Sequence, residues 1–101
     1  MRIGRVIGCV TLSRWHESMG GGVYRLAVPL TGDELAADEP GAGEPLVVYD
    51  ELGAGVGSQI AISEGGEAAQ PFFPELKPVD AYAAALLDSI HLAPRRGRVI
   101  F

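Results

Sequence analysis

Few residues in this chain combine a reactive side chain with a spacing that could put it to use. Gly53-Ala54-Gly55-Val56-Gly57 carries three alternate glycines. A Gly-rich loop that opens a helix can hold a pyrophosphate on the N–H groups of that helix. Here the glycines lead instead into Ser58-Gln59-Ile60-Ala61-Ile62, which alternates with the period of a strand and brings neither a helix cap nor a helical stripe. The expectation is a strand-to-strand turn in which glycine supplies positive φ or close backbone approach. His16 lies beside Glu17 and near Ser13, but neighbours in a glycine-flexed loop do not make a held triad, and spacing places no third group. His91 follows Asp88 by three residues. Without a second histidine or a cysteine pair at ligand spacing, no metal is expected, and no cofactor. Asp50 and Glu51 are adjacent, so on a strand they point to opposite faces and cannot pair as acid and base. The single cysteine, Cys9, cannot make an internal disulfide and reads as a small buried apolar residue rather than a nucleophile or ligand. No enzyme chemistry is expected.

The elements that must position these residues are short strands. A chain of 101 residues with 48% hydrophobic composition forms one domain with a modest core that gains from burial against neighbours. Residues 2–12 alternate Ile3, Arg5, Ile7, Cys9 and Thr11 against Gly4, Val6, Gly8, Val10 and Leu12. That is a long strand with one face made thin by glycine, suited to bending or to close approach of another backbone. Residues 13–22 read as a loop, 24–30 as a second strand ending at Pro29, 46–52 as a third and 58–63 as a fourth. Residues 31–45 read as an extended acidic loop without a helix, and 64–78 as irregular. Within them Phe72-Phe73 stands between Pro71 and Pro74; one ring is expected to cap the core, or the pair to dock on a neighbouring subunit. Val79, Tyr82, Ala83, Leu86, Leu87 and Ile90 fit a helical stripe after Pro78. Residues 98–101 could add a strand to an exposed edge. Several short strands among many turn signals predict a small β-barrel.

Between Leu26 and Leu76 there is no lysine or arginine, while ten Asp and Glu residues fall there; Arg95, Arg96 and Arg98 cluster near residue 101. This separation reads as a solvated acidic face with a basic tail, or as two surfaces that meet in a head-to-tail ring. A nucleic-acid-binding barrel needs a basic groove lined with stacking aromatics. The central strands here are acidic, and Trp15, Tyr24 and Tyr49 are not interleaved with cations, so no nucleic-acid partner is expected. No segment approaches the roughly 20 apolar residues of a membrane span, and no signal peptide is visible. The expectation is a cytosolic protein with no membrane partner.

Met1-Arg2-Ile3-Gly4-Arg5-Val6-Ile7-Gly8, Leu26-Ala27-Val28-Pro29-Leu30, Val48-Tyr49-Asp50 before Gly53-Ala54-Gly55-Val56-Gly57, Pro78-Val79-Asp80-Ala81 and Leu87-Asp88-Ser89-Ile90 stand in an order that resembles the EutN/CcmL family of bacterial microcompartment vertex proteins. The resemblance spans most of the chain. It implies an all-β, five-stranded OB-like barrel with one short helix, comprising residues 1–93 and followed by a basic tail, 94–101. It also implies a cyclic homo-pentamer at the five-fold corners of a cytoplasmic shell whose other tiles are hexameric and trimeric. On this reading a short helical turn runs from Pro78 to Ala83 and the last barrel strand covers residues 86–92. Gly53, Ala54, Gly55, Val56 and Gly57 then sit at a subunit junction or the five-fold axis, with Pro78, Val79, Asp80, Arg95, Arg96 and Arg98 as further interface residues, Asp80 as a cap or acceptor. Many members carry Gly-Ser-Ser-Ala-Arg after the fourth strand where this chain has Glu64-Gly65-Gly66-Glu67-Ala68-Ala69; a central opening would here be more acidic. The alternative from a different class is an OB-like module that binds nucleic acid or a small ligand.

Overall fold

The computed structural model describes residues 1–75 and 77–93. Five strands, β1 (Arg2–Val10), β2 (Val23–Pro29), β3 (Leu46–Asp50), β4 (Gln59–Glu64) and β5 (Ala81–Leu86), close into a barrel in the order β1-β2-β3-β5-β4. Every pairing is antiparallel except that of β3 with β5. This is the OB-like barrel class expected, and closure leaves the short strands no open edge. Arg95, Arg96 and Arg98, and the strand expected at 98–101, lie outside the described residues.

The glycine face of β1 is its core face. Gly4 and Val6 are buried while Ile7 and Cys9 are exposed, so Cys9 lies on the outer face of the strand and is not the buried residue expected. A Cβ built on Gly4 would come 2.5 Å from Ile62 Cδ1 and 3.2 Å from the Val28 carbonyl oxygen, so glycine there lets the Ile62 side chain cross the strand. At Gly8 the nearest atom is Leu26 Cβ at 4.0 Å. Its place is instead at a register shift between Val6 and Gly8, which bends the strand. The expectation of close approach therefore holds at Gly4 and not at Gly8.

Val6, Ala27, Val48, Ile60 and Ile62 fill the barrel together with Ala81 and Ala83. Fully burying each isoleucine contributes about 2–3 kcal/mol. A second cluster is aromatic: the rings of Tyr24 and Tyr49 meet edge to face at 5.3 Å, and those of Tyr49 and Phe72 at 5.0 Å. Lys77 Nζ sits 5.2 Å from the Phe72 ring centre and donates to the Ser18 carbonyl. It thereby ties the segment before β5 to the β1–β2 loop. Of the two adjacent phenylalanines, Phe72 joins this cluster and Phe73 is 79% exposed, so the first ring caps the barrel's own core.

Three sequence expectations are corrected. Neither the helical stripe over 79–90 nor a helical turn at 78–83 with a strand at 86–92 forms; the strand is Ala81–Leu86. Ala81 and Ala83 are its inward residues, small enough to sit against Ile60 and Ile62, and pairing with both β3 and β4 outweighs the helix preference of an alanine run. With no helix there, Asp80 caps none. The 31–45 loop does contain a helix, α1 (Gly32–Ala36), opened by a capping box in which the Thr31 hydroxyl accepts from the Glu34 N–H and the Glu34 carboxylate accepts from the Thr31 N–H. Its signature, Thr31-x-x-Glu34, was readable in the chain. A 3-10 segment, Gly65–Phe72, replaces the irregular stretch after β4.

Candidate functional site

The glycine turn joins the end of β3 to the start of β4 and is held at both of its own ends. Asp50, 3% exposed, accepts hydrogen bonds from the Leu52 N–H at 2.9 Å and the Ala54 N–H at 2.8 Å, the local pattern by which aspartate shapes a turn. Arg25 Nε donates to the same carboxylate at 3.2 Å, and Arg25 Nη1 donates to Cys9 Sγ at 2.8 Å. These bonds raise the Arg25 pKa, the one to Asp50 most. At the far end the Gly57 N–H donates to the Val6 carbonyl and the Val6 N–H to the Ser58 carbonyl. Ala54 is wholly buried in the core.

Gly53 and Gly57 adopt positive φ, 78° and 92°, which supports the conformational reason for glycine at both. Gly55 does not, and no atom lies within 4 Å of a Cβ built on it. Beside it Leu52 and Val56 are 45% and 69% exposed. The turn therefore presents an open glycine with apolar neighbours on a rigid mount. Among the residues sequence reasoning put forward, Ala54 goes to the core while Gly53, Gly55, Val56 and Gly57 stay exposed. The roles of Asp50 and Arg25 were missed. An aspartate two residues before a backbone N–H in a turn was the available signal for the first.

At the opposite ends of β3 and β4 lies a second feature, an open cleft of about 920 Å³ bordered by Arg2, Pro29, Leu46, Glu64 and Ala81, one residue from each strand. Arg2 pairs with Glu64 through Nε at 2.5 Å and Nη2 at 2.9 Å. Asp80 borders the same cleft, and its carbonyl accepts from the Gly65 N–H. Pro78 is exposed and Val79 buried in the aromatic cluster. The cleft residues Asp80 and Ala81 and the glycine turn are thus on separate surfaces.

The bond from Arg2 holds the Glu64 carboxyl below its ordinary value of 4.5. The stability from this depressed group is present above the unfolded value and is lost as pH falls through the lower folded one. Both side chains are partly exposed, 53% and 36%, so solvent screening limits the loss to about 0.5 kcal/mol. Urea unfolding of Glu64→Gln should show a shallower decline than the parent chain below pH ~4.5 and the same slope at neutral pH. Elsewhere, burial first and then the hydrogen bond donated to Glu51 at 2.8 Å push the Tyr82 hydroxyl pKa up to about 12. Asp50 and Glu51 do face apart, one to the turn and Arg25, the other to Tyr82. His16 Nδ1 accepts from the Ser18 N–H and so caps the short 3-10 turn Glu17–Met19. Among the described residues no group of three or more His, Cys, Asp and Glu side chains could hold a metal ion, and no helix is long and apolar enough to cross a membrane.

Comparison with known proteins agrees with this geometry. Residues 1–88 match the family described as ethanolamine utilisation protein EutN/carboxysome. The chain is 34% identical over 99 residues to the carboxysome shell vertex protein CcmL of Gloeobacter violaceus, covering 94% of this chain and 90% of that one. A solved structure of Gloeobacter violaceus CcmL superposes with a TM-score of 0.80 at 29% identity, over all of this chain and 96% of that one. The GrpN pentameric microcompartment shell protein of Rhodospirillum rubrum superposes with a TM-score of 0.77 at 29% identity, over 92% of this chain and all of that one. The chain, folded as a closed five-stranded barrel, belongs to the EutN/CcmL family.

Proposed function

We propose that this chain is a structural shell protein and not an enzyme: five copies close into a cyclic pentamer that caps the five-fold vertices of a bacterial microcompartment in the cytoplasm. A flat hexagonal sheet cannot close on itself without five-fold points, so the activity is geometric. The neighbouring tiles are hexameric and trimeric shell proteins. The observation that carries this reading is family membership across the whole barrel together with the likeness to a pentameric shell protein. Interface physics supports it as well. Ile7, Val23, Val47, Leu52 and Val56 are all more than 40% exposed on a small barrel, and a heterologous contact repeated around a ring buries such residues. Native mass spectrometry tests it directly. A complex of five times the 10.6 kDa chain mass is expected, and a protein that remains monomeric at micromolar concentration overturns it.

The open turn is the proposed place of close packing between copies, with Gly53, Gly55, Val56 and Gly57 outward. At concentrations below assembly, Gly55→Val should change the barrel's unfolding midpoint little, because a Cβ at this position meets no atom of the protomer within 4 Å. It should raise the concentration for half-assembly about tenfold, the equivalent of overpacking a tight contact. A Gly55→Val protein that assembles like the parent by native mass places the turn outside the interface. The 3-10 segment after β4 presents an exposed Glu67, and a central opening formed there would be acidic.

A further inference from the structure

We propose that the loop between β1 and β2 of one copy, led by Arg14 and Trp15, docks in the acid-rimmed cleft of the next copy around the ring, an inference that rests on the ring-forming reading above. The cleft combines two chemistries. Its rim carries Glu44 and Asp80, both exposed and, among the described residues, in no ion pair. The other two carboxylates there are already engaged, Glu64 by Arg2 and Glu34 by the N–H groups of Thr31 and Ala42. The wall is apolar, formed by Leu30, Leu46 and Val47, with Val47 44% exposed. Adjacent Arg14 and Trp15 offer the complement: a cation in no ion pair among the described residues, beside an indole ring that is 55% exposed. Tryptophan and arginine are the side chains that most often anchor a protein–protein contact. At about 920 Å³, the cleft is of a size that takes a drug-sized ligand, so it admits both.

Topology favours a neighbour's loop over the protomer's own. The loop leaves the last residue of β1 and enters the first of β2, whereas the cleft lies at the first residue of β1 and the last of β2. The seven residues of β2 put about 20 Å between those ends. Within its own protomer Trp15 borders a different hollow, with Leu12, Met19 and Tyr24. The contact thus joins two unlike surfaces, as a heterologous ring requires and an isologous dimer does not. It is also continuous with the glycine turn. Gly21 and Gly22 of the loop and Gly53 of the turn line one hollow of about 310 Å³, so a copy seated by its loop brings exposed Leu52 and Val56 toward the same neighbour. Complementary charge sets the register of the two surfaces.

Trp15 is the chain's single tryptophan and reports its own burial. The full chain is diluted from micromolar to nanomolar concentration, with indole emission and acrylamide quenching recorded beside the native mass. The pentamer should emit further to the blue than the protomer, with quenching cut severalfold. A pentamer whose tryptophan stays as open to acrylamide as the protomer's overturns the docking and leaves the vertex reading standing, whereas a native mass of one chain at every concentration removes both. Charge reversal then identifies the surface that covers the ring. Arg14→Glu, and separately Glu44→Lys with Asp80→Lys, should each raise the half-assembly concentration about tenfold at low salt. The three together should recover most of that loss. No recovery shows that Trp15 is buried elsewhere and overturns the proposal.

Discussion

Asp50→Ala should lower the unfolding free energy by about 3 kcal/mol, the upper range for removing a charged acceptor whose partners stay buried. The carboxylate is almost fully enclosed and receives three donors: the Leu52 and Ala54 N–H groups and Arg25 Nε. Truncation leaves the Ala54 N–H unpaired inside the protein, next to a methyl group that is itself core. Among the described residues it also leaves the Arg25 guanidinium with the Cys9 sulfur as its side-chain partner. Asp50→Asn keeps an acceptor oxygen but turns a donor toward one of the three, so about half the loss is expected. Urea unfolding followed by circular dichroism measures both. A loss below about 0.5 kcal/mol for Asp50→Ala, the range of an ordinary surface substitution, would show that the turn is held by something other than this carboxylate. Loosening the turn should also weaken assembly if the open glycine is an interface element, since a rigid mount reduces the entropy lost when two copies meet.

For Gly4→Val the expected destabilisation is about 3 kcal/mol, at the upper end of overpacking, against less than about 1 kcal/mol for Gly8→Val. At Gly4 even the first added carbon would lie 2.5 Å from Ile62 Cδ1 and 3.2 Å from the Val28 carbonyl. Ile62 is fully buried, so its Cδ1 can yield only by repacking within the core cluster of Val6, Val48 and Ile60. The Val28 oxygen belongs to β2, whose pairing with β1 fixes Gly4 opposite Pro29 and Arg5 opposite Val28. Two further methyl groups on valine worsen both contacts. At Gly8 the nearest atom is a Cβ at 4.0 Å, so the strand preference of valine offsets much of the disturbance to the bulge. Parallel denaturation of the two variants decides the matter. Equal losses would mean that the glycines of β1 serve bending alone.

Local periodicity read well over the first four strands. The alternation of Ile3 to Leu12, the run 24–30 that ends at Pro29, the apolar run 46–52 and the alternation over 58–63 place four of the five strands to within a few residues, because a two-residue period commits each side chain to a face. It read poorly at Ala81–Leu86. An alanine-rich run satisfies a helical stripe as readily as a strand. What selects the strand is the space left between Ile60, Ile62 and β3, which exists only once the other strands have closed. The helix at Gly32–Ala36 is signalled by Thr31 and Glu34, but the surrounding Gly, Pro and acidic residues point to a loop.

By itself the chain of letters determined that this is a small glycine-punctuated β protein, with an alternate-glycine turn that serves two strands and no nucleotide, and with the ordered elements of the EutN/CcmL family. Those properties are local: they depend on side-chain period, on which positions accept positive φ, and on neighbours a few residues apart. Tertiary structure alone decided that Asp50 and Arg25 hold the turn, that Phe72 turns inward while Phe73 faces solvent, and that residues from all five strands border one acidic cleft. Each of those facts joins residues distant in the chain, such as Arg25 with Asp50 or Arg2 with Glu64. Contacts of that kind follow from barrel closure and its register, which no short-range pattern encodes.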